Sequence, residues 1–165
     1  MSQRLSRTIS RRDAPETRAS HVEPHRLRMS APTILIVEDH ADMRGAVAVM
    51  LEREGFHVEE ADNGAEAMTY LRSGAPVSAI ILDLAMPVMS GWDFLAACRQ
   101  RADLRLIPTV VLTGLSIDET RRRELDGLTV FTKPFNFDEL LAAVRRAMIR
   151  PVPFPAGSAV PPQRS

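Results

Sequence analysis

Lysine is almost missing from this sequence. Of the 21 basic residues in 165, one is lysine, Lys133, and the other twenty are arginine. Coding bias alone accounts for a stray lysine in an arginine-rich chain, so its position must decide whether it means anything. Cysteine is as scarce. A single residue, Cys98, excludes an internal disulfide framework and fits a reducing, cytoplasmic compartment. No apolar run approaches the roughly 20 residues that cross a bilayer, so no membrane partner is expected. Formal net charge is zero, and nothing in the bulk charge directs the chain to nucleic acid.

What is present suits one ordinary globular domain. Charged residues make up 25% and hydrophobic residues 45%. The length allows one domain with a real core and is short for two. The ends differ from the middle. Residues 1–31 hold seven arginines against Asp13, Glu16 and Glu23. They are polar and aperiodic, and read as a disordered tail. Arg11 and Arg12 are not followed by the apolar stretch of an export signal. Met29 opens "MSAPTILIVEDH", a sensible compact start, so residues 1–28 are expected to be a dispensable tail or a start-site artefact. Residues 151–165 are Pro-rich and read as a second flexible tail. The folded unit is expected over 32–150.

Within it, apolar runs alternate with segments of helical period. "TILIV" (Thr33–Val37), "FHVEEA" (Phe56–Ala61), "AIIL" (Ala79–Leu82) and "PTVVLT" (Pro108–Thr113) are strand candidates, the second polar enough for a sheet edge. A fifth strand is expected to end at Lys133. The spacing predicts helices over Ala41–Glu54, with Val47, Met50 and Leu51 on one face, over Gly64–Arg72 capped by Asp62 or Asn63, and over Gly91–Arg101 with Cys98 as a small core residue. Ser116 with Glu119 forms a capping box. Asn136 with Glu139 forms another, flanked by the Phe135–Leu140 staple, and its helix runs to Arg150. Five strands alternating with five helices give an α/β fold: a parallel sheet, right-handed crossovers and helices on both faces, a three-layer sandwich.

Ligands of such a sheet bind beyond the carboxyl ends of its strands. There lie Glu38 and Asp39, Asp83, Thr113 with Gly114, and Lys133 with Pro134. Singly, each has an ordinary role. The acids can complement a helix dipole or cap a loop, and the threonine can close a turn. Three carboxylates crowded on one rim repel unless a cation joins them. Hard oxygen donors without histidine or cysteine suit Mg²⁺. A hydroxyl and an ammonium beside that ion make sense if a phosphoryl group arrives, and Gly114 leaves it backbone room.

The set "ILIVEDH", "IILDLAMPVMSGWDFL", "VVLTG" and "FTKPF", in this order and spacing, resembles the receiver domain of two-component response regulators over about Thr33–Ile149. The resemblance implies a flavodoxin-like sheet of strand order 2-1-3-4-5. It implies that Asp83 is the phosphoacceptor, that Asp39 binds Mg²⁺ directly and Glu38 through water, and that the Ala85 carbonyl completes the metal site. Ala85 and Gly114 supply phosphoryl-binding backbone, Thr113 is the switch hydroxyl, and Lys133 pairs with the phosphoryl group before a usually cis proline. An ammonium on a flexible stem suits that task better than arginine's planar fork. Ala85 and Leu115 match the positions that gate hydrolysis, and neither can orient a water, so a long-lived phosphoryl group is expected. The implied donor is a histidine kinase or phosphotransfer protein. The implied output is a protein target met through the last two helices, where Arg121, Arg122, Arg123, Arg145 and Arg146 cluster.

The sequence departs from the family just before the lysine, where the stretch from Gly127 to Lys133 is a residue short. The aromatic usual three residues before the lysine is Val130, with Phe131 next to it. Two other readings of the residues differ in kind. A phosphate-independent interaction module would not need the full acidic set with Thr113 and Lys133. An aspartyl phosphatase would want a second acid where Ala85 stands. The expectation is a stand-alone, Mg²⁺-dependent phosphoacceptor that catalyses only its own phosphorylation.

Overall fold

A computed structural model describes residues 31–114 and 116–150. The tails read over 1–30 and 151–165, and the hydrolysis position Leu115, lie outside the described residues. Five strands, β1 (Thr33–Val37), β2 (His57–Ala61), β3 (Ala79–Asp83), β4 (Thr109–Thr113) and β5 (Thr129–Thr132), alternate with five helices. These are α1 (Ala41–Arg53), α2 (Gly64–Arg72), α3 (Gly91–Arg99), α4 (Glu119–Glu124) and α5 (Phe137–Ile149). The strands form one parallel sheet in the order β2-β1-β3-β4-β5.

The unbroken apolar runs have a simple cause. Ile34 and Ile36 of β1 pack towards α1 and α5, while Leu35 and Val37 face α2 and α3, and all four are buried. β3 and β4 divide the same way, Ile81 and Leu112 to one layer, Leu82 and Val111 to the other. Each such side chain contributes on the order of 1.5–3 kcal/mol by leaving water. β2 lies at an edge, as its polar residues predict. Cys98 is fully buried beside Met68, and burial pushes its thiol up to about 12, so it is an inert core group.

The caps follow local chemistry. The side chains of Asn63, Ser90 and Asn136 accept from backbone N–H groups of α2, α3 and α5, and Phe135 packs on the core near the buried Leu140. Three expectations need correction. Met50 is 40% exposed, because the buried stripe of α1 runs through Val47, Ala48 and Leu51. The capping box at Ser116 does not form: α4 starts later, at Asp118, whose carboxylate accepts from Arg121 N–H at 2.9 Å. β5 stops at Thr132, though Lys133 N–H still donates to Thr113 C=O at 2.8 Å. None of α4's six residues is buried. It is held by Leu125 behind it, and by Arg121, whose guanidinium lies 4.8 Å over the Trp92 ring.

After β3 the chain makes a tight three-residue turn. Met89 N–H donates to Pro87 C=O at 2.7 Å across Val88, whose φ is 67°. This is the rare form of γ-turn, and a β-branched residue there is strained. The turn persists because Gly64 N–H donates to Met89 C=O and Gly91 N–H to Leu84 C=O, both at 3.1 Å. Val88 is itself 87% exposed, so its side chain adds little packing. Val88→Asn should therefore raise the thermal midpoint by about 3 °C, corresponding to roughly 1 kcal/mol. A calorimetric midpoint at or below that of the wild type would show that the turn is not strained.

Candidate functional site

Parallel pairing brings the carboxyl ends of β1, β3, β4 and β5 to one rim, and the rim collects the expected residues. Glu38 follows β1, and Asp83 and Thr113 end β3 and β4; all three are buried. Asp39, Ala85 and Gly114 are exposed beside them. Lys133, just beyond β5, sends its ammonium across the rim. Its Nζ donates to Glu38 Oε2 at 2.6 Å and to Asp83 Oδ2 at 2.7 Å. The peptide between Lys133 and Pro134 is cis, as the resemblance implied.

The remaining carboxylate oxygens are also held. Ala85 N–H donates to Asp83 Oδ1 at 3.2 Å, and His40 N–H donates to Glu38 Oε1 at 3.2 Å. Each buried acid thus meets a backbone donor on one oxygen and the lysine on the other. Burial pushes the Lys133 pKa down. Hydrogen bonds to Asp83 and Glu38, with the charges behind them, outweigh it, and the net direction is up.

Glu38, Asp39 and Asp83 each offer one carboxylate oxygen, and these lie within 4.8 Å of one another. One side chain is exposed and two are buried, so an ion there is open to solvent on the Asp39 side. The donor set is all oxygen and doubly acidic beyond the lysine, which fits a hard divalent cation. At Gly114 a Cβ would meet no atom within 4 Å, consistent with room in front of the strand end. At Gly91 a Cβ would collide with the Asp83 backbone oxygen and with the Leu84 Cα. Glycine is required there so that α3 can begin against the backbone of the central aspartate.

Some contributors carried no sequence signal. His40 caps α1, its Nδ1 accepting from Met43 N–H at 3.4 Å, besides lending its own N–H to Glu38. Arg44 reaches Glu38 C=O at 2.6 Å and pairs with Glu60 at 3.1 Å, fixing the start of the acidic loop. Neither spacing nor residue type marks these roles.

β5 resolves the question of the missing aromatic. Val130 pairs in register with Val111, on the α3 side of the sheet, and lines a hollow with Ile117, Arg122 and Leu125 of the α4 region. Phe131 pairs with Leu112 and packs in the opposite layer. Strand alternation thus keeps Phe131 away from α4, and the aromatic position is filled by valine. The basic residues of the last two helices also separate. Arg145 pairs with Glu54 at 2.8 Å and lies over Phe56, while Arg121 lies over Trp92.

A sequence profile described as "Response regulator receiver domain" matches residues 34–145. The chain belongs to this family. The phosphate regulon transcriptional regulatory protein PhoB of Klebsiella pneumoniae is 37% identical over 122 residues, covering 73% of this chain and 53% of its own length. The alkaline phosphatase synthesis transcriptional regulatory protein SphR of Synechococcus elongatus is 34% identical over 143 residues, 76% of this chain and 54% of its own. The receiver chain therefore spans about half the length of the curated relatives it matches. Among solved structures, the Vibrio cholerae chemotaxis protein CheY4 superposes with a TM-score of 0.63 at 32% identity, covering 70% of this chain and 98% of the other. The response regulator TrrA of Thermotoga maritima, in complex with Mg(2+)-BeF, gives 0.62 at 29% identity, covering 70% and 97%. Receiver domains are phosphoacceptor signalling domains of two-component systems.

The ammonium bridge predicts a pH signature. A lysine whose folded pKa lies above its ordinary value of 10.5 adds stability that is fully present below that value. The contribution is lost as pH rises through the higher folded value. Thermal melts of wild type and Lys133→Arg should therefore keep a constant separation up to about pH 10 and change above it, the wild type losing stability first because guanidinium stays charged. A separation unchanged up to pH 12 would mean that the bridge contributes nothing to stability.

Proposed function

We propose that this chain is a stand-alone, cytoplasmic receiver that takes a phosphoryl group onto Asp83 in the presence of Mg²⁺ and so switches a protein-binding surface. The observation that carries this reading is the Lys133 ammonium shared between Glu38 and Asp83. A half-buried cation between two buried acids is poised to exchange one partner for a phosphoryl oxygen. Mg²⁺ would be held by Asp39, Asp83 and the Ala85 carbonyl, with Glu38 acting through water. When bound, it would neutralise charge on the transferring group. The Mg(2+)-BeF complex of the Thermotoga relative supports the same pairing of ion and phosphoryl mimic here.

The donor is a histidine kinase or phosphotransfer protein carrying a phosphorylated imidazole. An Asp83 carboxylate oxygen attacks in line, the O–P bond forming as the P–N bond breaks, and a proton returns to the imidazole. The Thr113 hydroxyl and the N–H groups of Ala85 and Gly114 take up the phosphoryl oxygens. Lys133 follows the charge from carboxylate to phosphoryl group, and its flexible stem permits that motion. Acylphosphate formation then shifts an existing equilibrium towards the active surface. We place that surface on the last two helices, where Arg122, Arg123 and Arg146 are exposed, and assign no part to nucleic acid or membrane. The domain catalyses only its own phosphorylation. The stand-alone reading draws on the near-complete coverage of the Vibrio chemotaxis protein, and the intact mass of the natively expressed protein tests it.

Incubated with acetyl phosphate and Mg²⁺, the protein should gain one phosphoryl group by mass. Asp83→Asn should gain none, and chelation of Mg²⁺ should stop the reaction in the wild type. Labelling of Asp83→Asn at the wild-type rate would move the acceptor elsewhere.

The phosphoryl group should also be slow to leave. Ala85 is exposed at the rim and has no polar group to hold an attacking water, and Leu115 is equally apolar. Losing that positioning by ~1.4 kcal/mol slows decay about tenfold. Ala85→Asn should shorten the acylphosphate lifetime by about that factor once donor is removed. A variant no faster than the wild type would show that this position does not set the lifetime.

A further inference from the structure

At the end of the sheet opposite the acidic rim, α5 changes character. Its buried side chains Leu140, Leu141 and Val144 fill one core layer. Towards the starts of β4 and β5 the same helix presents Ala143 and Ala147, four residues apart, with Arg146 beside them. Alanine supplies too little volume there, and Leu128 and Thr129 enter β5 across the gap. A hollow of about 370 Å³ remains, lined mainly by apolar surface of Pro108, Leu128, Ala143, Ala147 and Ile149, with Arg146 and Arg150 also at its wall. Ile149 is 78% exposed, an unusual place for a large aliphatic side chain.

The chain leaves the described structure at this rim. Fifteen residues follow Arg150, beginning Pro151-Val152-Pro153-Phe154-Pro155. Pro151 has no backbone N–H with which to extend the hydrogen-bond ladder of α5. Four residues reach about 13 Å, enough for Phe154 to return over the hollow. Prolines on both sides of Phe154 restrict it to extended conformations, so ordering it costs less entropy than ordering an unrestricted segment. The segment is apolar and uncharged, and its one aromatic lies within reach of an apolar cavity at the rim from which it departs.

We propose that this hollow is the docking site of the chain's own segment Pro151–Pro155, with the Phe154 ring seated between α5 and the start of β5 and the backbone covering Ile149. The segment then belongs to the folded unit and occupies the sheet end farthest from Asp83. Nuclear Overhauser contacts in the full chain decide the matter. Ring protons of Phe154 should contact the methyl groups of Leu128 and Ala147, and a mixture of differently labelled chains should show these contacts to be within one chain. Phe154→Ala should abolish them and lower the thermal midpoint by about 3 °C. Absence of the contacts in the wild-type chain would overturn the proposal. So would contacts arising only between chains, which would place a second copy in the hollow, or an unchanged midpoint in Phe154→Ala.

Discussion

Everything at the functional rim depends on how one ammonium balances two buried carboxylates. A parallel sheet has no choice about where its strand ends go, so the acids that follow β1 and β3 arrive side by side. Buried like charges at such spacing are costly unless compensated. Lys133 reaches both from the far side of β4, and the N–H groups of Ala85 and His40 satisfy the oxygens that it does not. Because the bridge spans from β1 to β5, the three central strands cannot shift against one another without disturbing it. Charge balance and strand alignment are therefore one constraint.

That constraint also explains the glycine under the site. The start of α3 approaches the Asp83 backbone more closely than any side chain would allow. The turn through Val88 brings the helix back to that position. Strain in the turn and close packing at Gly91 are two sides of the same geometry: a short loop that must return a helix directly beneath the strand end it has just left.

Much of this was legible in the sequence because it depends on local rules. Apolar runs such as Thr33–Val37 signalled strands covered on both faces, and Asn63 and Asn136 announced their helices. The rim residues were legible because strand ends are fixed by the fold class, which alternation alone supplied. What escaped depended on tertiary choices. Ser116 and Glu119 have the spacing of a capping box, but Asp118 is closer to the helix and stronger as an acceptor. Met50 fits a helical stripe, yet the sheet covers only the side bearing Val47 and Leu51. The roles of His40 and Arg44 arise from a backbone N–H and a carbonyl contact, and no residue pattern encodes those. Whether Val130 or Phe131 faced α4 turned on strand phase, which the apparent shortening before Lys133 obscured.

The stacking of Arg121 on Trp92 has an optical consequence. The indole is the chain's sole tryptophan, and its environment on one face is a guanidinium from a helix with no buried residues of its own. The emission of the whole protein therefore originates at the contact between α3 and α4. A displacement of α4 that lifts the guanidinium changes the polarity above the ring, so the native chain carries a built-in, label-free spectroscopic gauge of that helix.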